Sequence, residues 1–451
     1  MARAYDLVVI GSGTAAQAAT DRMASAGWKV AVIDHRPFGG TCALRGCDPK
    51  KMLITGAQVM DDISRMSGWG IAAKDARISW RELMAFKRSW TRPIPAQLEQ
   101  YFREMGIDTF RATARFVGPN TIEVNGDERL QGRHFLIATG ARAVPLAFAG
   151  AEHLITNEEF LELDELPHRI VLVGGGYIAA EFSHIAAHAG AKVTVLQRGE
   201  RMLPRFDPDL VGWLMESFQR IGIDVRTQHV VDAVEKMASG FRVHAGTQKG
   251  ERAFEADLVV HAAGRIPDVD RLNLEAGQIE CDERGHLKLN EFLQSVSNPA
   301  VYAAGDAAAK GPPLTPVSSH DARVVASNLL EGNHQRPDYR GVPTVAYTIP
   351  PIAKVGRGED ELLGSGIKFR KKSEKASDWY TARRVREGVY GFKVMVDEKT
   401  DQILGADLVG PNVDEVINLF GIAIRQGLTA DALRTTVFAY PTGASDVGYM
   451  L

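Results

Sequence analysis

An α/β architecture is what this sequence predicts, with one glycine-rich strand–turn–helix unit used twice and a smaller α+β unit at the C-terminal end. Three observations carry that expectation. The apolar run Leu7 to Ile10 leads into Gly11-Ser12-Gly13-Thr14-Ala15-Ala16, of the form G-x-G-x-x-A, and then into an alanine-rich segment. The same form recurs after the apolar run Ile170 to Val173, as Gly174-Gly175-Gly176-Tyr177-Ile178-Ala179. From about Gln335 the pattern changes. Apolar runs at Tyr390 to Val396 and Ile403 to Leu408 precede a helix-periodic stretch from Val413 to Gln426.

The chain has 451 residues, too many for one core, so about three domains are expected. A hydrophobic content of 45% and a charged content of 24% are ordinary for a globular protein. The net charge of −3 gives no electrostatic footprint for nucleic acid. No apolar run reaches the length of a membrane span. The start, Met1-Ala2-Arg3-Ala4-Tyr5-Asp6, leads straight into a strand and lacks the pattern of a secretory signal. Three cysteines do not make a disulfide framework, and a cytoplasmic setting is expected, where a disulfide is more often catalytic than structural.

Taken in order, the first unit has the strand Leu7–Ile10, a helix over Thr14 to Ser25, and a second strand from Lys29 to Ile33 that ends in Asp34. The glycines let backbone approach a pyrophosphate at the helix N-terminus, and Asp34 is placed to accept hydrogen bonds from an adenosine ribose. The second unit repeats this, with a helix to about Ala189 and a strand from Lys192 to Leu196. The spans Gly11 to Asp34 and Gly174 to Gln197 are both 23 positions, so the units are in register. That argues for two separate dinucleotide sites in two Rossmann-like domains. The acid of the first is a neutral glutamine, Gln197, in the second. Arg198, Arg201 and Arg205 follow it. A carboxylate there would suit a free 2′-hydroxyl, so its absence among arginines favours NADPH over NADH. The bland alternative is an arginine-rich solvated turn.

Immediately after Asp34 comes Gly39-Gly40-Thr41-Cys42-Ala43-Leu44-Arg45-Gly46-Cys47-Asp48-Pro49-Lys50-Lys51. On a helix, cysteines five apart need only modest distortion to bridge. The lysines favour thiolate, the reactive form. The stretch reads as a reversible dithiol/disulfide pair poised for exchange. A structural zinc site would want four ligands, and Cys281 lies far away with no second pair beside it; two unrelated core cysteines remain the other reading. No metal site is expected. Residues Ile54 to Arg103 read as helical, with a break at Arg92-Pro93-Ile94-Pro95, and short strands follow to about Val124. His134 to Gly140 and Leu258 to Pro267 are each an apolar strand and turn, and Val301-Tyr302-Ala303-Ala304-Gly305-Asp306 is a third.

The redox stretch resembles the active-site motif of the flavoprotein disulfide reductases (glutathione reductase, dihydrolipoamide dehydrogenase and mercuric reductase), and the likeness extends over nearly the whole chain. It implies a FAD-binding domain over 1–145, an NAD(P)H-binding domain over 146–265, a return to the flavin part over 266–335 and a dimerisation domain over 336–451, hence a homodimer. Ala138-Thr139-Gly140 is similar to the turn where the family's chain leaves the flavin domain, and Gly264-Arg265-Ile266-Pro267 to the segment closing the nicotinamide domain. By the same likeness Asp306, after Gly305, binds the ribityl chain of FAD, and Leu314-Thr315 opens the helix that faces the flavin ring. Gly11, Gly13, Thr14, Ala15, Asp34, Gly40, Thr41, Lys51, Thr139 and Gly140 are implied at the flavin site. Gly174, Gly176, Tyr177, Ile178, Arg198 and Arg201 are implied at the nicotinamide nucleotide, with Tyr177 covering its pocket. Cys47 takes the position of the charge-transfer thiol and Cys42 that of the interchange thiol. Lys50 and Glu181 match a buried ion pair beside the flavin.

Three departures limit the substrate reading. The family ends in His-Pro-Thr-x-x-Glu, whose histidine serves the partner's site; here the run is Tyr440-Pro441-Thr442-Gly443-Ala444-Ser445. Tyrosine, with an ordinary pKa of about 10, donates a proton but is a poor base near neutrality. Asp446 is one position out of register. Of two adjacent arginines on the first helix of glutathione reductases, one falls on Asp21 and one on Arg22, while a third is kept as Arg323. Mercuric reductases add a C-terminal cysteine pair, which Gly448-Tyr449-Met450-Leu451 does not contain. The expected activity is NADPH-dependent reduction of a small disulfide. The alternatives are reduction of mercuric ion or another small electrophile, an oxidase or quinone reductase activity, and a non-catalytic redox sensor.

Overall fold

The computed structural model describes residues 3–248 and 250–451. Of the expected lead into the first strand, Met1 and Ala2 lie outside the described residues. The chain divides into two compact units. One takes 1–50, 86–144 and 265–339; the other takes 51–85, 145–264 and 340–451.

In the first unit, Arg3–Ile10 lies between Val30–Asp34 and Glu128–Ile137, parallel to both, with Leu7 opposite Val30 on one side and His134 on the other. Asp108–Arg111 extends the sheet beyond Val30–Asp34. Glu128–Ile137 is shared at its far edge. Its first half pairs with the hairpin strand Thr121–Val124 and its last three residues with Val301–Ala303. Leu7, Val8, Val9, Ala31, Val32 and Leu136 are all fully buried. Burial on both faces explains why these strands read as continuous apolar runs instead of alternating ones. Helices Thr14–Ser25 and Thr315–Glu331 pack on one another, which brings the first glycine turn close to a segment three hundred residues downstream.

The second unit contains a four-stranded parallel sheet in the order Asp224–Thr227, Lys192–Gln197, Arg169–Val173, Leu258–His261. A three-stranded antiparallel meander, Val230–Lys236, Phe241–Thr247 and Gly250–Ala256, packs through Val234, Val243 and Ala245 against Val171 and Val259. The C-terminal part is a five-stranded antiparallel sheet ordered Thr344–Ala346, Ile352–Gly356, Ile403–Val409, Gly391–Asp397, Phe369–Lys375. Helix Val413–Gln426 covers it with Val416, Ile417 and Phe420.

The structure corrects two expected helical stretches. The helix from Cys47 stops at Met66, and the next spans only Trp80–Thr91. Between them Gly68 and Gly70 hold positive φ of 76° and 103°, a conformation that side-chain-bearing residues in a helix do not adopt. The following helix begins inside the expected break, at Ile94, because proline is tolerated in a first helical turn.

Candidate active site

Cys42 and Cys47 do not share a helix. A short helix, Gly40–Arg45, carries Cys42; Gly46 breaks it at φ −146°, ψ −112°; and Cys47 is the first residue of the 20-residue helix Cys47–Met66. The pair is thus brought together by a kink, not by distortion of one helical turn. Both cysteines are unbridged, Cys42 half-buried and Cys47 exposed. Cys42 Sγ lies 3.8 Å from Asp48 Oδ1, and Cys47 Sγ lies 3.3 Å from Thr315 Oγ1.

Their surroundings push the two thiols in opposite directions. The Cys42 hydrogen bond, the Thr315 hydroxyl and the Lys50 charge pull Cys47 down to about 6 against burial and Asp48. The same hydrogen bond, together with burial, pushes Cys42 up. The helix geometry agrees. Cys47 opens one helix, and Thr315 opens another, Thr315–Glu331, so the thiolate meets the positive ends of both. Lys50 is buried beside them. Lys51 is turned elsewhere: its ammonium lies 3.3 Å from Asp414 and 3.8 Å above the Tyr347 ring.

The redox turn abuts the first glycine turn. Gly39 and Gly40 have φ of 135° and 71°, and a Cβ on Gly40 would come within 2.3 Å of Gly13 Cα. At Gly11, φ is 110° and a Cβ would meet Ala138 O at 2.2 Å. Asp34 ties this turn together. Its Oδ2 accepts from Ser12 N–H at 3.0 Å and Ser12 Oγ–H at 2.6 Å, and its Oδ1 accepts from Arg36 N–H at 2.9 Å. Thr14 and Ala15 begin the helix that leaves the turn, and Thr41 lies one residue into the short redox helix. Thr139 Oγ1, in the turn before Gly140, is buried without a hydrogen-bond partner. A backbone cradle that no Cβ can enter, beside an orphaned buried hydroxyl, fits a dinucleotide bound through its pyrophosphate.

Gly305-Asp306 is a 3₁₀ turn at the end of Val301–Ala303. Burial raises the Asp306 carboxyl, and Arg265 Nη1 at 3.8 Å offsets part of that. Asp321 is a functional residue that sequence reasoning missed. Fully buried on the Thr315–Glu331 helix, which Leu314 caps, it accepts from Gly305 N–H at 3.1 Å and Tyr339 O–H at 2.9 Å. Burial lifts it to about 6. The only signal in the sequence was a carboxylate among the apolar positions of that helix.

The second cradle repeats the first. Gly174 has φ 122°, and a Cβ there would meet Ala262 O at 2.2 Å. Gly176 caps the helix Tyr177–His188, in which Ile178 is half-buried, and Gly264 ends the adjoining turn with φ 119°. Tyr177 packs edge-on to Phe206 at 5.5 Å, and burial raises its phenol. Gln197 Nε2 donates to Arg201 O at 3.1 Å, Arg201 Nη2 to Pro204 O at 2.8 Å, and Leu203 N–H to Gly175 O at 2.7 Å. Arg198 and Arg205 are exposed. Glu181 is buried and accepts from Tyr347 N–H at 2.9 Å.

Tyr440 is 78% exposed and stacks on Tyr380. Ser445, in the glutamate's position, is spent locally, since its Oγ–H donates to Thr442 O at 2.6 Å. Asp446 accepts the Tyr390 hydroxyl at 2.7 Å. Among the described residues no group of three or more His, Cys, Asp or Glu side chains could hold a metal ion, and no helix is long and apolar enough to cross a membrane.

Comparison with known proteins agrees with this geometry over both units. A family described as pyridine nucleotide-disulphide oxidoreductase matches residues 5–322, and its dimerisation domain matches 342–450. The glutathione reductase of Burkholderia cepacia is 32% identical over 442 residues, covering 98% of this chain and 97% of that protein. A mercuric reductase of Staphylococcus aureus is 32% identical over 446 residues, covering 98% and 80%. The HOCl-induced flavoprotein disulfide reductase RclA of Escherichia coli, solved as a Cu(II) complex, has a TM-score of 0.88 at 27% identity, covering 100% of this chain and 99% of that one. Two glycine cradles, a cysteine pair set across a kink and a matching dimerisation domain thus have one shared source: the chain belongs to the pyridine nucleotide-disulphide oxidoreductase family, FAD-dependent flavoprotein disulfide reductases.

Proposed function

We propose that this enzyme uses NADPH to reduce a small disulfide, NADPH + H⁺ + RSSR′ giving NADP⁺ + RSH + R′SH. When bound, FAD supplies the two-electron link between nicotinamide and the cysteine pair. The residues of the first cradle hold it, with Asp306 at its ribityl chain. Those of the second hold the nicotinamide nucleotide under Tyr177. Lys50 and Glu181 act as a buried pair beside the flavin.

The observation that carries the reading is the kink at Gly46, which sets Cys42 Sγ 3.8 Å from Asp48 Oδ1 and Cys47 Sγ 3.3 Å from Thr315 Oγ1. Cys42 loses its proton toward Asp48, whose Oδ1 lies 3.8 Å from its sulfur, as that sulfur attacks RSSR′. A mixed disulfide forms and RS⁻ leaves. Cys47 sulfur then attacks Cys42 sulfur, R′S⁻ leaves, and the internal disulfide is restored. Asp48 thus stands as a base where the family's histidine is replaced. RS⁻ takes up the proton that Cys42 gave to Asp48, and R′S⁻ takes one from Tyr440 of the second subunit in a homodimer, whose phenolate regains it from solvent. A cytoplasmic location suits a dithiol kept reduced by NADPH.

A second reading rests on one specific observation. RclA is solved as a Cu(II) complex, and reduction of a soft metal ion at two thiols needs no proton donor. Steady-state NADPH oxidation against glutathione disulfide, an aromatic disulfide, Hg²⁺, Cu²⁺, a quinone and O₂ decides between them. Turnover of disulfides that is lost in Cys42→Ser supports the first reading. Turnover of metal ions alone replaces it with the second, and turnover of none overturns both.

For the nucleotide, Gln197→Glu with Arg198→Ala should move preference toward NADH. Losing a cation that faces a 2′-phosphate costs about 1.5–3 kcal/mol. A wild-type enzyme that already prefers NADH would refute this assignment.

A further inference from the structure

The loop that follows Gln197 is gripped from the C-terminal sheet. Lys354, Asp407 and Lys393 stand opposite one another on three adjacent strands, Lys354 paired in register with Asp407 and Lys393 with Asp407 from the other side. The two lysines address residues 205–207. Lys354 Nζ donates to Arg205 O at 3.0 Å. Lys393, 2% exposed, donates to Asp207 Oδ2 at 2.7 Å. Asp407 is buried between them with its Oδ1 unpartnered, and burial raises its carboxyl to about 7. Asp207 is itself a bridge, because its Oδ1 caps the helix Pro208–Arg220 through the N–H groups of Asp209 and Leu210. Asp209 and Glu359 complete the charge around Lys393.

Upstream of that grip the loop is braced from inside. Gln197 Nε2 holds Arg201 O, and Arg201 Nη2 holds Pro204 O. Leu203, at φ 46°, turns its N–H onto Gly175 O in the glycine cradle. Arg201 thus commits Nη2 within the loop and leaves Nε without a partner. Arg198 stays exposed, and the Arg205 charge offsets part of the rise that burial imposes on the Tyr177 phenol.

We propose that the Lys354–Asp407–Lys393 row positions the loop for nucleotide selection: it fixes residues 205–207 so that Arg198 is presented to a 2′-phosphate, with Arg201 bracing the loop between them. This rests on the NADPH reading above. Lys354 is a positioning residue, acting through Arg205 and the loop. It is the member of the row to test, because replacing Lys393 would leave three carboxylates without their common cation.

The test compares competitive inhibition by 2′,5′-ADP and 5′-ADP in the flavin-loaded enzyme, together with KM and kcat for NADPH and NADH. Lys354→Met removes one donor to the loop and should cut the ratio of 2′,5′-ADP to 5′-ADP affinity by about 5-fold. KM for NADPH should rise by a similar factor, with kcat, KM for NADH and flavin content unchanged. Lys354→Arg, which keeps a donor, should restore the ratio. Lys371→Met, which removes a lysine paired with Glu359 outside the row, should leave it alone. A wild-type ratio near one overturns the NADPH reading, and this proposal with it. A high wild-type ratio that is unchanged in Lys354→Met, or equal losses for both inhibitors, overturns the positioning role alone.

Discussion

A thiolate at Cys47 is a property of the residue's neighbours more than of cysteine itself. Cys42, Thr315 and Lys50 stabilise the charge, and burial and Asp48 oppose it, with a balance near pH 6. Iodoacetamide labelling of Cys47 in the reduced protein should therefore rise with pH through a midpoint of about 6 and level off above it. Lys50→Met removes a cation and should move that midpoint up; Asp48→Asn removes a carboxylate and should move it down. Mass spectrometry of the labelled peptide reads both, and a midpoint unmoved in either variant would show that the charges named here do not act on the sulfur. At this scale the sequence was informative where chemistry demands one residue type, as at Cys42, Cys47, Asp34 and the paired glycines. It was silent on Asp321 and on the Lys354–Asp407–Lys393 row. Their partners, a backbone N–H at Gly305 and a carbonyl at Arg205, become partners only when segments distant in sequence meet.

The two glycine cradles are the same element built twice, down to the clash that forbids a side chain. A Cβ on Gly11 would lie 2.2 Å from Ala138 O, and one on Gly174 would lie 2.2 Å from Ala262 O. Positive φ alone costs a side-chain-bearing residue about 1–3 kcal/mol, and the overlap adds to it. Gly11→Ala should purify with little flavin. Gly174→Ala should stay yellow but lose reduction by NADPH, while dithionite still bleaches it. If both variants lose flavin equally, the two cradles are not the separate sites that their repetition implies. Elements of this kind were legible because strand, tight turn and helix leave a local signature. The edge strand Phe369–Lys375 left none. Its sequence, Phe-Arg-Lys-Lys-Ser-Glu-Lys, is almost wholly exposed, and it is a strand because it pairs residue for residue with Gly391–Asp397. The meander over 230–256 escaped notice for a related reason. Its outer strand Gly250–Ala256 is mostly exposed, so the apolar signal falls on the middle strand alone. The kink at Gly46 was hidden because glycine inside a helix-like stretch is tolerated as often as it breaks one.

On the scale of the whole molecule, the C-terminal departure from the family bears on the proposed mechanism as an assembly. Tyr440 is 78% exposed and stacks on Tyr380, with no hydrogen bond to a side chain among the described residues. Asp446, the nearest carboxylate in sequence, is engaged by the buried Tyr390 hydroxyl, so Asp446→Asn should cost stability before it costs chemistry. In the proposed function Tyr440 donates a proton to a leaving thiolate. That makes the rate depend on the leaving thiol: an aromatic thiolate, being more acidic, departs without help, whereas an alkyl thiolate does not. Tyr440→Phe should slow glutathione disulfide or another alkyl disulfide and leave an aromatic one nearly unchanged. General acid catalysis sets the upper bound of the loss at about 10²–10⁴-fold. Where the tyrosine acts is tested by mixing chains. A dimer of one Cys42→Ser chain and one Tyr440→Phe chain has one complete site if Tyr440 serves the partner's cysteines, and none if it serves its own. In the first case the mixed dimer regains about half the wild-type rate with alkyl disulfides, one working site in two. In the second it does no better than the mean of its parents. Equal rates for alkyl and aromatic disulfides, unchanged in Tyr440→Phe, would remove the tyrosine from the reaction and leave the Cys42–Cys47 pair and Asp48 to manage every proton themselves.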